Sequence, residues 1–186
     1  MIKPWPTLSS KVLGKFRVFT LRSDEKVSPR TGQKHEFYVL ESVDWVNVIA
    51  LTRDGSLVMV EQYRHGSDSI ELEVPGGVMD AEDASPVLAG LRELREETGY
   101  EGENPRLIGS VFANPAILNN TCHTLLLENC ERRHPTLLDQ SEDILTRLVR
   151  LDEIPALMKE GRIRHSLVVA ALHHFELWRT GRMGTR

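Results

Sequence analysis

Glu93, Glu96 and Glu97 stand at positions i, i+3 and i+4 within the stretch LRELREETGY, residues 91–100. On a helix these positions share one face. Like charges at that spacing repel, at a cost of about a few tenths of a kcal/mol per pair. The face is accounted for if a cation occupies it. A hard divalent ion such as Mg2+ takes oxygen ligands and keeps several waters, and carboxylates one helical turn apart can share it. Arg92 and Arg95 give charge balance on neighbouring faces. Gly76 and Gly77, just upstream, let the backbone approach a ligand closely. The competing reading is a solvated helix laced with ion pairs, and on the three glutamates alone that is the commoner case.

The segment that must carry these residues has helix punctuation at both ends. Ala84 or Ser85 is positioned to cap it, Pro86 suits its first turn, and Gly99 sits where a left-handed C-cap belongs. Leu88, Leu91 and Leu94, with Arg95, line one side. Around it the patterning predicts strands over 45–51, 56–63, 70–74, 107–112, 121–127 and 145–151. Arg53-Asp54-Gly55 makes the turn between the first two. Asp152 is expected to cap a short helix reaching 160. A longer helix over 164–179 carries Leu167, Val168, Ala171, Leu172, Phe175 and Trp178 at helical spacing. Upstream, 11–22 and 35–41 read as two strands joined by the turn-rich, flexible SDEKVSPRTGQK. A lone hairpin is marginal in water, so it must pack on the main domain or on a second copy of the chain. Many strands with two or three helices give a mixed α/β or α+β fold, with a hairpin region over 1–43 and a main domain over 44–186.

The 186 residues suit a main domain with a small appendage, and 40% hydrophobic with 27% charged residues is ordinary for a globular chain. A net charge of −4 and the lack of a long basic run argue against a nucleic-acid partner. No apolar leader and no run of 18 apolar residues is present, so neither export nor a membrane span is expected, and the placement is cytoplasmic. Cys122 and Cys130 read as reduced thiols, and Asn119-Asn120-Thr121 as a chance sequon.

Arg92 to Tyr100 matches R-E-(apolar)-x-E-E-x-G-(apolar) at every defined position, and VPGGVMDAED precedes it. This resembles the Nudix box, G-x5-E-x7-R-E-U-x-E-E-x-G-U. There is one departure: Arg92 falls fifteen positions after Gly77 instead of fourteen, and Glu82 comes one residue early for the first glutamate. The resemblance implies an α/β/α sandwich with a mixed sheet that hydrolyses a nucleoside diphosphate linked to a second group. It implies Mg2+, or Mn2+, held by Glu93 and Glu97 with Glu96 beside them and by the carbonyl of Gly76. Arg92 would orient a glutamate by an ion pair.

The order VNVIAL, VEQYRHG, ELEVPGG looks like the ADP-ribose and nucleoside diphosphate sugar pyrophosphatase branch. There the resemblance places Arg64, with Glu73 as its partner, and Gly77 on the substrate side. Apart from the resemblance, an aromatic ring can stack any nucleobase, and Trp45 and Tyr63 are the candidates, with a place in the core as the alternative for both. Pro115, fifteen residues after Tyr100, matches a position associated with ADP-ribose preference. Glu142 matches a loop glutamate that completes the metal site. Gln140 stands where the base can sit, which leaves Glu142, Asp139 and Glu96 as candidates for that role. The hairpin would form a homodimer. The alternatives are a hydrolase of dinucleoside polyphosphates, NADH or capped RNA, and a module that binds a nucleotide without cutting it. Such modules usually lose box glutamates, and this chain keeps all three.

Overall fold

A computed structural model describes residues 1–182. The chain forms two compact units, Met1–Asp44 with Phe112–Thr121, and Trp45–Val111 with Cys122 onwards.

The first unit is a three-stranded antiparallel sheet of β1 (Thr7–Lys15), β2 (Thr20–Val27) and β3 (Lys34–Glu41), in that order. The single strand expected over 11–22 is two strands with a turn between them. The Phe16 N–H donates to Phe19 O at 2.9 Å, and the two rings lie 4.9 Å apart. Apolar residues continue through the turn, so the alternation did not mark it. The next turn, expected to be loose, is closed by Ser28. Its N–H donates to Gln33 O at 2.9 Å and its hydroxyl accepts from the N–H groups of Arg30 and Thr31. Residues 112–121 join this unit through Leu40 N–H to Ile117 O at 2.8 Å and Ser42 N–H to Asn119 Oδ1 at 3.0 Å.

The second unit is built on a seven-stranded mixed sheet. Its main path is β10 (Ile144–Arg150), β5 (Ser56–Arg64), β4 (Trp45–Thr52), β9 (Thr121–Arg132) and β8 (Tyr100–Phe112). The strands β6 (Ser69–Glu73) and β7 (Gly76–Val78) pair with β5 and β4. β4 runs parallel to β9 and antiparallel to β5. A strand buried on both faces reads as a continuous apolar run, and β4 is one. Val46, Val48 and Ala50 pack with Leu125, Leu127, Ala89 and Leu94 under helix α1 (Pro86–Thr98). Ile49 packs with Leu57, Met59 and Leu126 under α2 (Ile154–Lys159) and α3 (Ser166–Arg179). The sheet therefore lies between helices, as the resemblance implied.

Helix α1 is bounded as its punctuation predicts. Ser85 is extended and its hydroxyl accepts from the Leu88 N–H, and Gly99 closes the helix at φ 74°. For α2 the expected cap is corrected: Glu153 is the N-cap and makes no side-chain cap bond. The Asp152 carboxylate instead takes the Arg150 guanidinium at 3.0 and 3.1 Å, since a charged fork a short reach away outcompetes a neutral N–H. Trp178 packs at the edge of the core with its ring stacked on Phe175. No described helix is long and apolar enough to cross a membrane.

α1 lies close on the sheet because residue 90 is glycine. A Cβ there would sit 2.6 Å from Leu125 Cδ2 and 3.1 Å from Val46 Cγ2, both side chains fully buried. Helix propensity alone favours Gly90→Ala by about 1 kcal/mol. Overpacking a closed core costs about 1–3 kcal/mol. The clash is expected to win, so Gly90→Ala should lower the urea midpoint, and an unchanged or raised midpoint would show that the helix can lift off freely.

Candidate active site

The face of α1 that packs on the sheet carries Ala89, Gly90 and Leu94, and the carboxylates follow along its edge. Glu97 is 4% exposed and Glu93 9%. The β7 turn delivers backbone to both. The Gly76 N–H donates to Glu97 Oε2 at 2.9 Å. A Cβ on Gly77 would lie 2.5 Å from Glu93 Oε1, so a side chain there would push that carboxylate from its place.

Arg92 holds this edge together. Its Nη1 donates at 3.0 Å to both Glu93 Oε1 and Glu96 Oε2, and its Nη2 donates to Asp83 Oδ2 at 2.8 Å and to the Val78 carbonyl at 3.2 Å. Asp80 adds a fourth acid, with Oδ2 3.4 Å from Nη2. One guanidinium thus bridges the loop and the helix. The acids it takes from the loop are Asp83 and, at longer range, Asp80, not Glu82, which is exposed. Asp83 has the box spacing from Gly77, six positions on, and a shorter side chain than the pattern's glutamate. The spacing from Gly77 is the sequence signal for Asp83; its residue type departs from the pattern.

The electrostatics leave this face short of positive charge. Burial pushes Glu97 up to about 8, relieved in part by the Gly76 N–H and worsened by the charges of Glu93 and Glu142. Burial likewise pushes Glu93 up to about 7, against the opposing pull of Arg92. Two desolvated carboxylates with further acids beside them are the environment in which an added cation is stabilised most.

Arg64 and Glu142 reach the same face from the sheet. On β5, Val58 lies under α1, so the alternation puts Val60, Gln62 and Arg64 on that side. Glu73, opposite Val60, is 3% exposed and receives Arg64 as a fork, Nε to Oε1 at 2.9 Å and Nη2 to Oε2 at 2.6 Å. β10 pairs Ile144 with Gln62, and extending that register by two residues sets Glu142 across from Arg64. The charge of Glu142 acts on Arg64, Glu93 and Glu97 alike. Its Oε2 accepts from the Asp139 N–H at 3.0 Å, which turns the loop before β10. Gln140 is exposed in that loop.

Two aromatic candidates are not brought to this face. Trp45 shares its side of β4 with Asn47 and Ile49, toward α3, and Asn47 Nδ2 donates to Leu167 O there. Tyr63 lies on the Leu57 side of β5, and its hydroxyl bonds Asp68. The alternation along each strand, set by which neighbours are buried, decides this. Pro115 lies in the 112–121 segment of the first unit.

A divalent ion fits the donor set. Glu93, Glu97, Glu96, Glu142 and the Gly76 carbonyl offer oxygen only, which suits a hard cation. Among the described residues no three acidic, His or Cys side chains already form a closed cluster. Mg2+ does not require one, since it usually keeps several waters and takes one or two carboxylates.

Fold and face together give a helix laid against a mixed sheet with its carboxylates gathered along one edge. The NUDIX domain pattern matches residues 41–172, and the chain belongs to that family. It is 30% identical over 172 residues to the methanol dehydrogenase activator of Bacillus methanolicus, covering 92% of each chain. It is 25% identical over 179 residues to the ADP-ribose pyrophosphatase of Bacillus subtilis, covering 92% of this chain and 95% of that one. The ADP-ribose pyrophosphatase of Mycobacterium tuberculosis is 26% identical over 167 residues, 89% of this chain and 80% of its own. The crystal structure of an ADP compounds hydrolase superposes with a TM-score of 0.85 over 98% of this chain and 97% of its own, at 19% identity, which establishes the shared fold. The protein is a Nudix hydrolase related to ADP-ribose pyrophosphatases.

Proposed function

We propose that the chain hydrolyses the pyrophosphate bond of nucleoside diphosphate sugars in the presence of Mg2+, with Mn2+ as the alternative ion. ADP-ribose is the favoured substrate, giving AMP and ribose 5-phosphate. The observation that carries the reading is the pair of buried carboxylates, Glu93 and Glu97, beside the Glu73-anchored guanidinium of Arg64. Near full-length similarity to two ADP-ribose pyrophosphatases supports it.

A divalent ion on this face supplies neutralisation of the diphosphate and a more acidic water. The protein's own groups do the positioning. Arg92 fixes Glu93 and Glu96, and the Gly76 N–H fixes Glu97. Glu73 holds Nε and Nη2 of Arg64, leaving Nη1 to donate to a phosphate oxygen. A water adds to one phosphorus, the bridging P–O bond breaks, and the water's proton passes to a carboxylate. Glu96, Asp139 and Glu142 are the candidates, and each is reachable from solvent.

Release of AMP from ADP-ribose with Mg2+ is expected to exceed release from NADH or diadenosine polyphosphates by about tenfold or more in kcat/KM. It should vanish with EDTA. Binding of one of these without turnover of any would establish a nucleotide-binding module instead.

We further propose a cytoplasmic homodimer formed through the first three strands. Leu8, Val12, Leu13, Phe16, Val18, Phe37 and Tyr38 are each 40–68% exposed on this unit, more apolar surface than a small sheet leaves to water unless a partner covers it. Light scattering on the eluting protein is expected to give twice the chain mass of 21.1 kDa. A species at the chain mass itself would remove the dimer.

A further inference from the structure

We propose that the cavity at the end of the β5–β6 hairpin is a specificity subsite for an oxyanion, a phosphate monoester or a carboxylate, carried on the non-nucleotide end of the substrate. The inference deepens the pyrophosphatase reading above and rests on it. The cavity has a volume of about 540 Å3 and is lined by Arg64, Ser67, Ser69, Glu71, Arg164 and His165.

Glu71 is 3% exposed, and both its oxygens are taken. Arg164 donates through Nε at 3.0 Å to each oxygen and through Nη2 at 2.8 Å to Oε1, and the hydroxyls of Ser69 and Ser67 donate to Oε1 at 2.6 and 3.3 Å. The carboxylate thus fixes Arg164 at the cavity wall, and its Oε1 is filled by four of these five bonds. Arg64, also in the lining, is fixed in the same way by Glu73.

What remains is donor capacity. A guanidinium carries five N–H groups in a rigid plane. Among the described residues, Nη1 of Arg64 and Nη1 of Arg164 have no protein acceptor. His165 Nδ1 is buried without a hydrogen-bond partner. Two anchored guanidiniums at one cavity, each with a free Nη1, suit a planar or tetrahedral oxyanion, which takes N–H donors from both.

The position links this cavity to the reaction. Arg64 lines it and also feels the charges of Glu97 and Glu142, so its guanidinium is shared between the cavity and the carboxylate face. A group held there would be joined to the diphosphate through the sugar.

The test compares matched pairs with Mg2+: ADP-ribose against ADP-ribose 1″-phosphate, and UDP-glucose against UDP-glucuronate. In each pair the member with the added oxyanion is expected to be favoured by about tenfold in kcat/KM, with ADP-ribose still ahead of UDP-glucose, NADH and the diadenosine polyphosphates. In the double variant Arg164→Gln/Glu71→Gln, which removes both charges and leaves neither buried alone, that preference should fall to about parity, mainly through KM. Arg164→Lys, which keeps the ion pair but not the fork, should lose part of it. Preference in the first pair alone identifies phosphate, and in the second alone carboxylate. Equal rates within both pairs, or a preference that the variants do not move, overturns the subsite. If no compound is cleaved, the pyrophosphatase reading fails by itself. Calorimetric binding of the same four compounds then decides the cavity: tighter binding of the charged members, lost in the double variant, supports it, and equal binding overturns it.

Discussion

Glu97→Gln is expected to lower turnover by about a thousandfold or more and to make the metal-free protein more stable, not less. The two effects have one cause. Glu97 is buried, and its carboxylate is desolvated beside Glu93 and within the field of Glu142. Glutamine keeps the shape and still accepts the Gly76 N–H, which in the native protein donates at 2.9 Å. It removes the charge that a divalent ion needs, and such an ion stabilises the charge developed in reaction by several kcal/mol, at roughly 1.4 kcal/mol per tenfold in rate.

The stability effect has a definite sign. The folded protein raises Glu97 from 4.5 to about 8, so folding favours the protonated form. Metal-free stability should be greatest below about 4.5 and should fall as pH rises toward 8, where the folded protein must carry the charge. Glu93, raised to about 7, adds to the slope in the same direction. Urea unfolding in EDTA at pH 5 and pH 8 reads this directly. The native protein should lose stability between the two, Glu97→Gln should lose much less, and Mg2+ should restore the native protein at pH 8 by binding only the folded state. Equal slopes for the two proteins would remove Glu97 from the role given it here.

Arg92→Ala should cost both stability and activity. Arg92 is 27% exposed at its side chain and serves Asp83, Glu93, Glu96 and Asp80 at once. Without it Glu93, 12% exposed at its side chain, faces the charges of Glu96 and Glu142 with no cation beside it, and Asp83, 9% exposed, keeps only the Asp80 N–H. Removing one member of a buried pair costs about 3–5 kcal/mol, and partial exposure reduces that here to about 2–4. Turnover should fall by about a hundredfold or more, because Glu93 and Glu96 lose the group that orients them. Arg92→Lys should recover part of the stability and little of the turnover, since an ammonium is a point charge and cannot span helix and loop as a fork does. A variant Arg92→Ala that melts with the native protein and keeps its turnover would show that the loop and helix hold their geometry without the bridge.

The sequence by itself determined what depends on neighbours along the chain. The bounds of α1 follow from Ser85, Pro86 and Gly99, because capping and a left-handed C-terminus are satisfied within a few residues. The carboxylate edge follows from spacing on that helix. The apolar run of β4 was legible for the same reason. The turn at 16–19 was not, because Phe16 and Val18 continue the alternation through it. Only the tertiary structure decided which separated residues meet. Register between β5 and β10 brings Glu142 toward Arg64, and the strand alternation turns Trp45 away from the carboxylates. Glu71 and Arg164 are 93 residues apart and form a buried fork whose existence no local pattern encodes. Periodicity fixes the face a residue occupies on its own element; pairing of distant elements, driven by burial of their apolar faces, fixes what that face looks at.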